Sequence, residues 1–457
     1  MARFSGEFKI SEKDAKLVDG IIARAPEKKR NNEPAIQKYG NEKYNFEVER
    51  STYNTRVKQF PWNYVAQPMI GTCVQGWNCH TEAGNRLKDL GVKHAYIVTT
   101  GLRGTGIVEE MQATLKQAGV AYTVGPLTHS NPRITDAEAG VKAFKEAGCD
   151  GVLSIGGGSS HDTGKGIRLL LSNPDKTIFD ARALLQPHWM EASLKLKYIT
   201  TPQVAINTTC GTGAEITPFA VYSDWDNRWK FNIMANGGMQ PNVGYDDPLF
   251  FRCMPEHIAA QTGIDSLVHG LGGVMSKLEN ESARAVGMAA VKMTFENLGE
   301  FVYNRWNDKA CEKMCWAQHL GACTYALGGG VGLIHALAHQ ISAINDMHHG
   351  MANAVFVVEG LRMNKFAAPE KMAMMARNCC GIDITGLSKW DAAQKFIDAC
   401  EELRNGVGIK DVRLSTYGLT KDDCYWMYKH AVNDLNLEAN VRDLTEPEIE
   451  AMLVGML

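Results

Sequence analysis

The chain has 457 residues, 45% hydrophobic and 22% charged, with a formal net charge of −3. That composition supports a large buried core and two or three domains. With Lys and Arg dispersed along the sequence, it argues against nucleic acid or an anionic membrane as partner and favours a small molecule.

The opening stretch, "MARFSGEFKISEKDAK", lacks the apolar core of a signal peptide, and nowhere do about 18 apolar residues run together as a spanning helix requires. A cytoplasmic protein is expected. The 12 cysteines are dilute and form no C-x2-C pair, so they read as reduced thiols. Residues 1–66, rich in Lys, Glu and Asn, have little periodicity and read as an N-terminal arm. From 67 to 245, short β-rich runs alternate with helical patterns: "HAYIVTT", "GIVEEMQATLKQAG", "AYTVG", "DAEAGVKAFKEAG", "DGVLSIGGG". That alternation predicts an α/β domain with a doubly wound parallel sheet, whose ligand site lies at the carboxyl ends of the strands. From 246 to 457 the strand signals fade. Segments such as "PEHIAAQTGIDSLVHGLGGVMSKLE" and "DKACEKMCWAQHLGACTYAL" predict an all-α second domain.

Two loops of the first domain are candidates for cofactor binding. In "VLSIGGGSSHDTGKG", Gly156, Gly157 and Gly158 stand between a strand and the first turn of a helix, where bare backbone lets a pyrophosphate approach the helix amino end. A plain tight turn reads equally well, and neither G-x-G-x-x-G nor G-x-x-x-x-G-K-[ST] is present. In "INTTCGTGAEITPFAVYSD", Thr208, Thr209 and Thr212 follow a strand and could donate to a cofactor, or simply make a Ser/Thr turn. Two such loops at successive strand ends point to one dinucleotide crevice.

The second domain carries the chemistry. Asp265 and His269 are four apart, as are His335 and His339, and His348 and His349 follow. Residues at i and i+4 project from one helix face. Any single pair reads as well as a core contact. Together, one carboxylate and up to three imidazoles suit a divalent ion, Fe or Zn before Mg.

Taken together, "GGGSSHDTGK", "TTCGTGAEITPFAV", "TGIDSLVHG" and "HALAHQISAINDMHHGMANAV" resemble the group III, or iron-type, metal-dependent alcohol dehydrogenases. The resemblance runs from about residue 67 to the C-terminus. Within the family it is greatest to methanol dehydrogenases and nicotinoprotein methanol:acceptor oxidoreductases. It implies Asp265, His269, His335 and His349 as metal ligands and His339 as a proton-relay or pocket group, with His348 left open between pocket wall and substrate contact. For the cofactor, NAD or NADP, it implies Gly157, Gly158, Ser159, Asp162, Thr208, Thr212 and Lys230, beside Thr209 of the same loop. The expected reaction is hydride transfer between a short primary alcohol, or its aldehyde, and the nicotinamide.

Where many family members have an Asp that repels a ribose 2'-phosphate, this chain has Thr100, with Arg103 nearby. Tolerance of NADP is therefore expected. The resemblance also implies a homo-oligomer larger than a dimer. Two rivals remain. Metal-dependent lyases and polyol or sugar-phosphate dehydrogenases of the dehydroquinate synthase type would need Lys and Arg for phosphate near the metal, and none cluster around residues 265–350. A non-enzymatic nucleotide or metal carrier would show no alcohol-dependent change in nicotinamide absorbance.

Overall fold

The computed structural model describes residues 35–39, 46–50, 71–183, 191–235 and 237–457. Within the arm, β1 (Ala35–Tyr39) and β2 (Phe46–Arg50) pair antiparallel, which the sequence did not suggest. The rest of the arm lies outside the described residues.

The sheet follows from the alternation. Strands β3 (Thr72–Gln75), β4 (His94–Thr99), β5 (Ala121–Val124), β6 (Gly151–Gly156), β7 (Gln203–Asn207) and β10 (Val243–Asp246) form one six-stranded sheet in the order β3-β10-β7-β6-β4-β5. Every pairing in it is parallel. Its central strands are apolar on both faces, as a sheet covered on both sides demands. Along β4, Ala95 and Ile97 pack with α1 (Ala83–Asp89) and α2 (Ile107–Ala118). Tyr96 and Val98 pack on the other face, with Phe144 of α3 (Ile134–Glu146) and Ile167 of α4 (Gly158–Ser172). Successive strand residues point to opposite faces, so this split is the doubly wound architecture expected from the sequence.

Beside the sheet stands an antiparallel hairpin, β8 (Ala220–Asp224) and β9 (Trp229–Ile233). No separate residue pattern marks it out within the alternating stretch.

After the last strand the chain is helical: α5 (Glu256–Met275), α6 (Glu281–Tyr303), α7 (Asp308–Ala326), α8 (Leu333–Asn345), α9 (His349–Asn364), α10 (Pro369–Cys380), α11 (Lys389–Gly406), α12 (Lys421–Ala431) and α13 (Glu446–Gly455). Their apolar faces share one large core with Leu267, Leu337 and Phe356 fully or almost fully buried within it. Asn280, Asn307, Ser388 and Thr420 accept backbone N–H bonds at the starts of α6, α7, α11 and α12, satisfying donors that have no partner inside the helix.

The sheet and the helices meet where the loop after β7 rests on α7. Gly213 has φ +60°, and a Cβ there would collide with Ala322 on α7. Gly213→Ala should therefore combine left-handed strain with overpacking. The expected loss is about 2–4 kcal/mol, read from the denaturant midpoint. A loss below about 0.5 kcal/mol would mean that this contact is slack.

Candidate metal and cofactor site

Four side chains from three helices meet in the interior. One turn separates Asp265 from His269 on α5, His335 lies on α8, and His349 opens α9. Asp265, His335 and His349 offer ligand atoms that all lie within 4.8 Å of one another. Asp265 Oδ1 is 3.5 Å from His335 Nε2, 3.7 Å from His349 Nε2 and 3.7 Å from His269 Nδ1. None of these is a hydrogen bond. For Asp265, His335 and His349 they are the spacings of atoms around a common centre, and His269 stands beside that trio. The His269 ring leans on that of His335 at 4.5 Å between centroids, and its buried Nδ1 has no hydrogen-bond partner.

Electrostatics agree with the geometry. Burial alone would raise the Asp265 carboxyl, but the His269, His349 and His335 rings hold it well below the usual carboxylate range. Burial pushes His269 down to about 4 and lowers His335 and His349 as well. An ionised carboxylate among neutral imidazoles is the protonation state that binding a divalent cation requires. The Asn353 amide supplies a further sign. Its Nδ2 donates to Asp265 Oδ1 at 2.7 Å and lies 3.3 Å from both His335 Nε2 and His349 Nε2. The lone pairs of all three atoms therefore face one point that favours positive charge. The donor set fits an ion such as iron or zinc.

From this cluster a cleft of about 270 Å³ runs to the carboxyl ends of the strands. Asp265, His348 and His349 line one end, and Thr100, Gly157 and Thr209 are among the residues lining the other. Because β6 and β7 are hydrogen-bonded neighbours, the loops that follow them are adjacent, and Thr208 N donates to Gly156 O at 2.9 Å. Cβ atoms added at Gly157 and Gly158 would meet the side chains of Thr209 and Thr212 at 2.7–2.8 Å. Bare backbone at the amino end of the 15-residue α4 thus faces two hydroxyls, a cradle suited to a pyrophosphate. Buried Thr208 Oγ1 has no partner, which leaves it available to a ligand.

The chain matches the iron-containing alcohol dehydrogenase family over residues 71–248 and that family's C-terminal domain over 259–457. It belongs to the iron-containing alcohol dehydrogenase family. Among its relatives, the 1,3-propanediol dehydrogenase of Klebsiella pneumoniae is 34% identical over 380 residues, covering 82% of this chain and 95% of that protein. The NAD-dependent methanol dehydrogenase of Bacillus methanolicus is 31% identical over 377 residues, covering 82% and 95%. The crystal structure of a 1,3-propanediol oxidoreductase aligns with a TM-score of 0.78 at 32% identity, covering 86% of this chain and all of that one.

As an iron-containing alcohol dehydrogenase, the chain is an oxidoreductase that uses a nicotinamide cofactor and a divalent metal. Its remaining cofactor-site residues fall into two groups. Thr100, Gly157, Gly158, Ser159, Thr208, Thr209 and Thr212 line the cleft, whereas Asp162 and Lys230 lie outside its lining. Asp162 Oδ1 accepts from Lys165 Nζ at 3.0 Å and Oδ2 from Val221 N at 2.9 Å, so its carboxylate braces α4 against the hairpin. Lys230 Nζ donates to Asn131 Oδ1 at 2.8 Å, and burial lowers its ammonium to about 8. Arg103 is exposed and is not among the lining residues.

His339 is held by a partner the sequence did not disclose. Its Nδ1 lies 2.9 Å from Asp434 Oδ2, which also accepts from Gln340 Nε2 at 3.1 Å. Asp434 lies 95 residues further along the chain, outside any local spacing, as Asn353 lies outside the histidine pattern. His348 lines the cleft, and burial pushes its ring down to about 4.

The packed glycine cradle yields a direct test. Gly158→Ala should raise the KM for the nicotinamide cofactor by about tenfold or more, equivalent to about 1.4 kcal/mol, and, because its Cβ would press on Thr212, should also lower the melting temperature. An unchanged KM would show that the cofactor does not approach this backbone.

Proposed function

We propose that the chain interconverts short primary alcohols, methanol among them, and their aldehydes. In this reading Asp265, His269, His335 and His349 hold the metal, and Gly157, Gly158, Ser159, Thr208, Thr209 and Thr212 hold the cofactor. The observation that carries it is the convergence of Asp265 Oδ1 with three imidazole nitrogens at one end of a cleft whose other end is the glycine and threonine cradle. A metal held by the first set would supply Lewis-acid polarisation of the alcohol oxygen, and a nicotinamide held by the second would supply the hydride acceptor.

The chain's own residues do the rest. Asp434 orients His339, whose Nδ1 faces the carboxylate, so that Nε2 is the nitrogen left to take the alcohol proton and pass it outward. Phe250, Met254 and Ile258 line the cleft, an apolar wall that would keep water from the reacting carbon and narrow the space beside a bound cofactor. That favours short substrates, as do the names of the relatives, which act on methanol or 1,3-propanediol. No Lys or Arg is among the lining residues, which disfavours a sugar-phosphate substrate.

The test is a panel of short alcohols and aldehydes given to metal-replete protein and followed at the nicotinamide absorbance. No change with any of them would overturn the reading. His335→Ala should lose bound metal and lower kcat roughly a thousandfold or more, since several kcal/mol of Lewis-acid stabilisation disappear, while circular dichroism stays native. Asp434→Asn, of the same shape, should keep the metal but lower kcat about ten- to a hundredfold with little change in KM. Full activity in either variant would remove that residue from the mechanism.

Thr100, a cleft-lining residue, supports tolerance of NADP, because a hydroxyl accommodates a 2'-phosphate that a carboxylate would repel. Thr100→Asp should lower kcat/KM for NADP relative to NAD by about tenfold, or about 1.4 kcal/mol. An unchanged ratio would show that position 100 does not read the ribose.

A further inference from the structure

A second constellation lies outside the cleft, at the edge of the sheet. Strand β3 is the edge strand, paired with β10 so that Cys73 stands opposite Gly244 and Gln75 opposite Asp246. Asp246 is two residues beyond Gly244, so Cys73 and Asp246 share one face of the sheet. Gly244 leaves that face open, and Glu215 packs into the space, its Cγ 2.9 Å from where a glycine Cβ would stand. Helix α7 closes over the top. Cys315 Sγ reaches Asp246 O at 3.7 Å, and Gln318 Nε2 bridges Asp246 Oδ2 at 2.9 Å and Glu215 Oε1 at 3.1 Å. His319 Nδ1 stands 3.7 Å from Asp246 Oδ2.

We propose that Cys73 Sγ, Asp246 Oδ2 and His319 Nδ1 form a second cation site, for a thiophilic divalent ion of the zinc type, that ties the edge of the sheet to the helical domain. The three ligand atoms lie within 4.8 Å of one another, with Cys73 Sγ 3.3 Å from Asp246 Oδ2. Bonds of about 2.0–2.3 Å to one tetrahedral ion separate its ligands by about 3.3–3.7 Å, so both spacings to Asp246 suit a shared ion. An ion pair competes for the same atoms: burial lowers the His319 imidazole, but Asp246 and Cys323 beside it raise it to about 10. His319 Nδ1 is buried without a hydrogen-bond partner, and 3.7 Å is too long for a hydrogen bond to Asp246. Asp246 and Glu215 are both fully buried carboxylates, and Glu215 stands outside the group of three ligand atoms.

Outer contacts are in place as well. Asn207 Nδ2 donates to Asp246 Oδ1 at 2.9 Å, fixing the carboxylate in the way such contacts orient metal ligands. Binding an ion would release one proton from Cys73 and one from His319 to solvent, and no electron transfer is involved. A set of thiolate, imidazole and carboxylate selects zinc over magnesium or calcium.

Cobalt gives the test, because the Asp265 cluster contains no sulfur. Full-length protein stripped of metal and reloaded with Co²⁺ should show a cysteinate-to-cobalt charge-transfer band in the near ultraviolet. Cys73→Ser and His319→Gln should each lose that band and bind one cobalt fewer per chain than the wild type, while alcohol oxidation persists. Absence of the band in the wild type, as a purely hydrogen-bonded cluster would give, overturns the proposal. So does a band that survives Cys73→Ser. Because the band reports sulfur ligation alone, its outcome is independent of whether the Asp265 cluster is the catalytic centre.

Discussion

A carboxylate that is 1% exposed in the middle of a helical core sets the terms for the rest of the molecule. Burying an ionised carboxylate costs several kcal/mol unless positive charge or donors surround it. Asp265 meets part of that demand with the Asn353 amide, and a cation held between its Oδ1 and the surrounding imidazole nitrogens would meet the rest. Three helices must therefore arrive at one point: α5 with Asp265 and His269, α8 with His335, and α9 with His349 and Asn353. The large apolar core around them holds that convergence in place. It leaves the imidazoles neutral and ready to act as ligands.

The sheet supplies the other half by a constraint of order. Because β6 and β7 are neighbours, the glycine turn after one and the threonine loop after the other cannot avoid each other. The same loop, through Gly213, is pressed against α7. Cofactor cradle and helical domain are thus joined by a contact too close for any side chain at position 213.

Much of this was legible in the sequence because it is periodic. The alternation of β-rich and helical runs between 67 and 245 marks a wound parallel sheet, and the i, i+4 pairs Asp265/His269 and His335/His339 mark helix faces. What escaped has no local period. The hairpin β8–β9 is two short strands in a region otherwise read as alternating strands and helices. Asn353 and Asp434 act on histidines held by other turns or other helices, and only the folded chain reveals such partners. Asp162 shows a different limit. Its place in the glycine motif suggests a ligand contact, and the folded chain adds two partners that spacing does not disclose, Lys165, one turn away, and the Val221 amide. A motif position specifies the residue and leaves open where its side chain turns.

The buried Lys230 joins regions on both sides of the cleft. Its ammonium donates to Asn131 Oδ1, and the Asn131 amide donates in turn to Asp346 Oδ1 at 2.9 Å and Met347 O at 3.2 Å, in the loop just before His348. Arg133 stands 3.9 Å from the same Asp346. These contacts form a latch between the nucleotide-binding side and the histidine-bearing helices. Any opening of the cleft at this edge would have to break two hydrogen bonds from a single amide, one of them to a carboxylate.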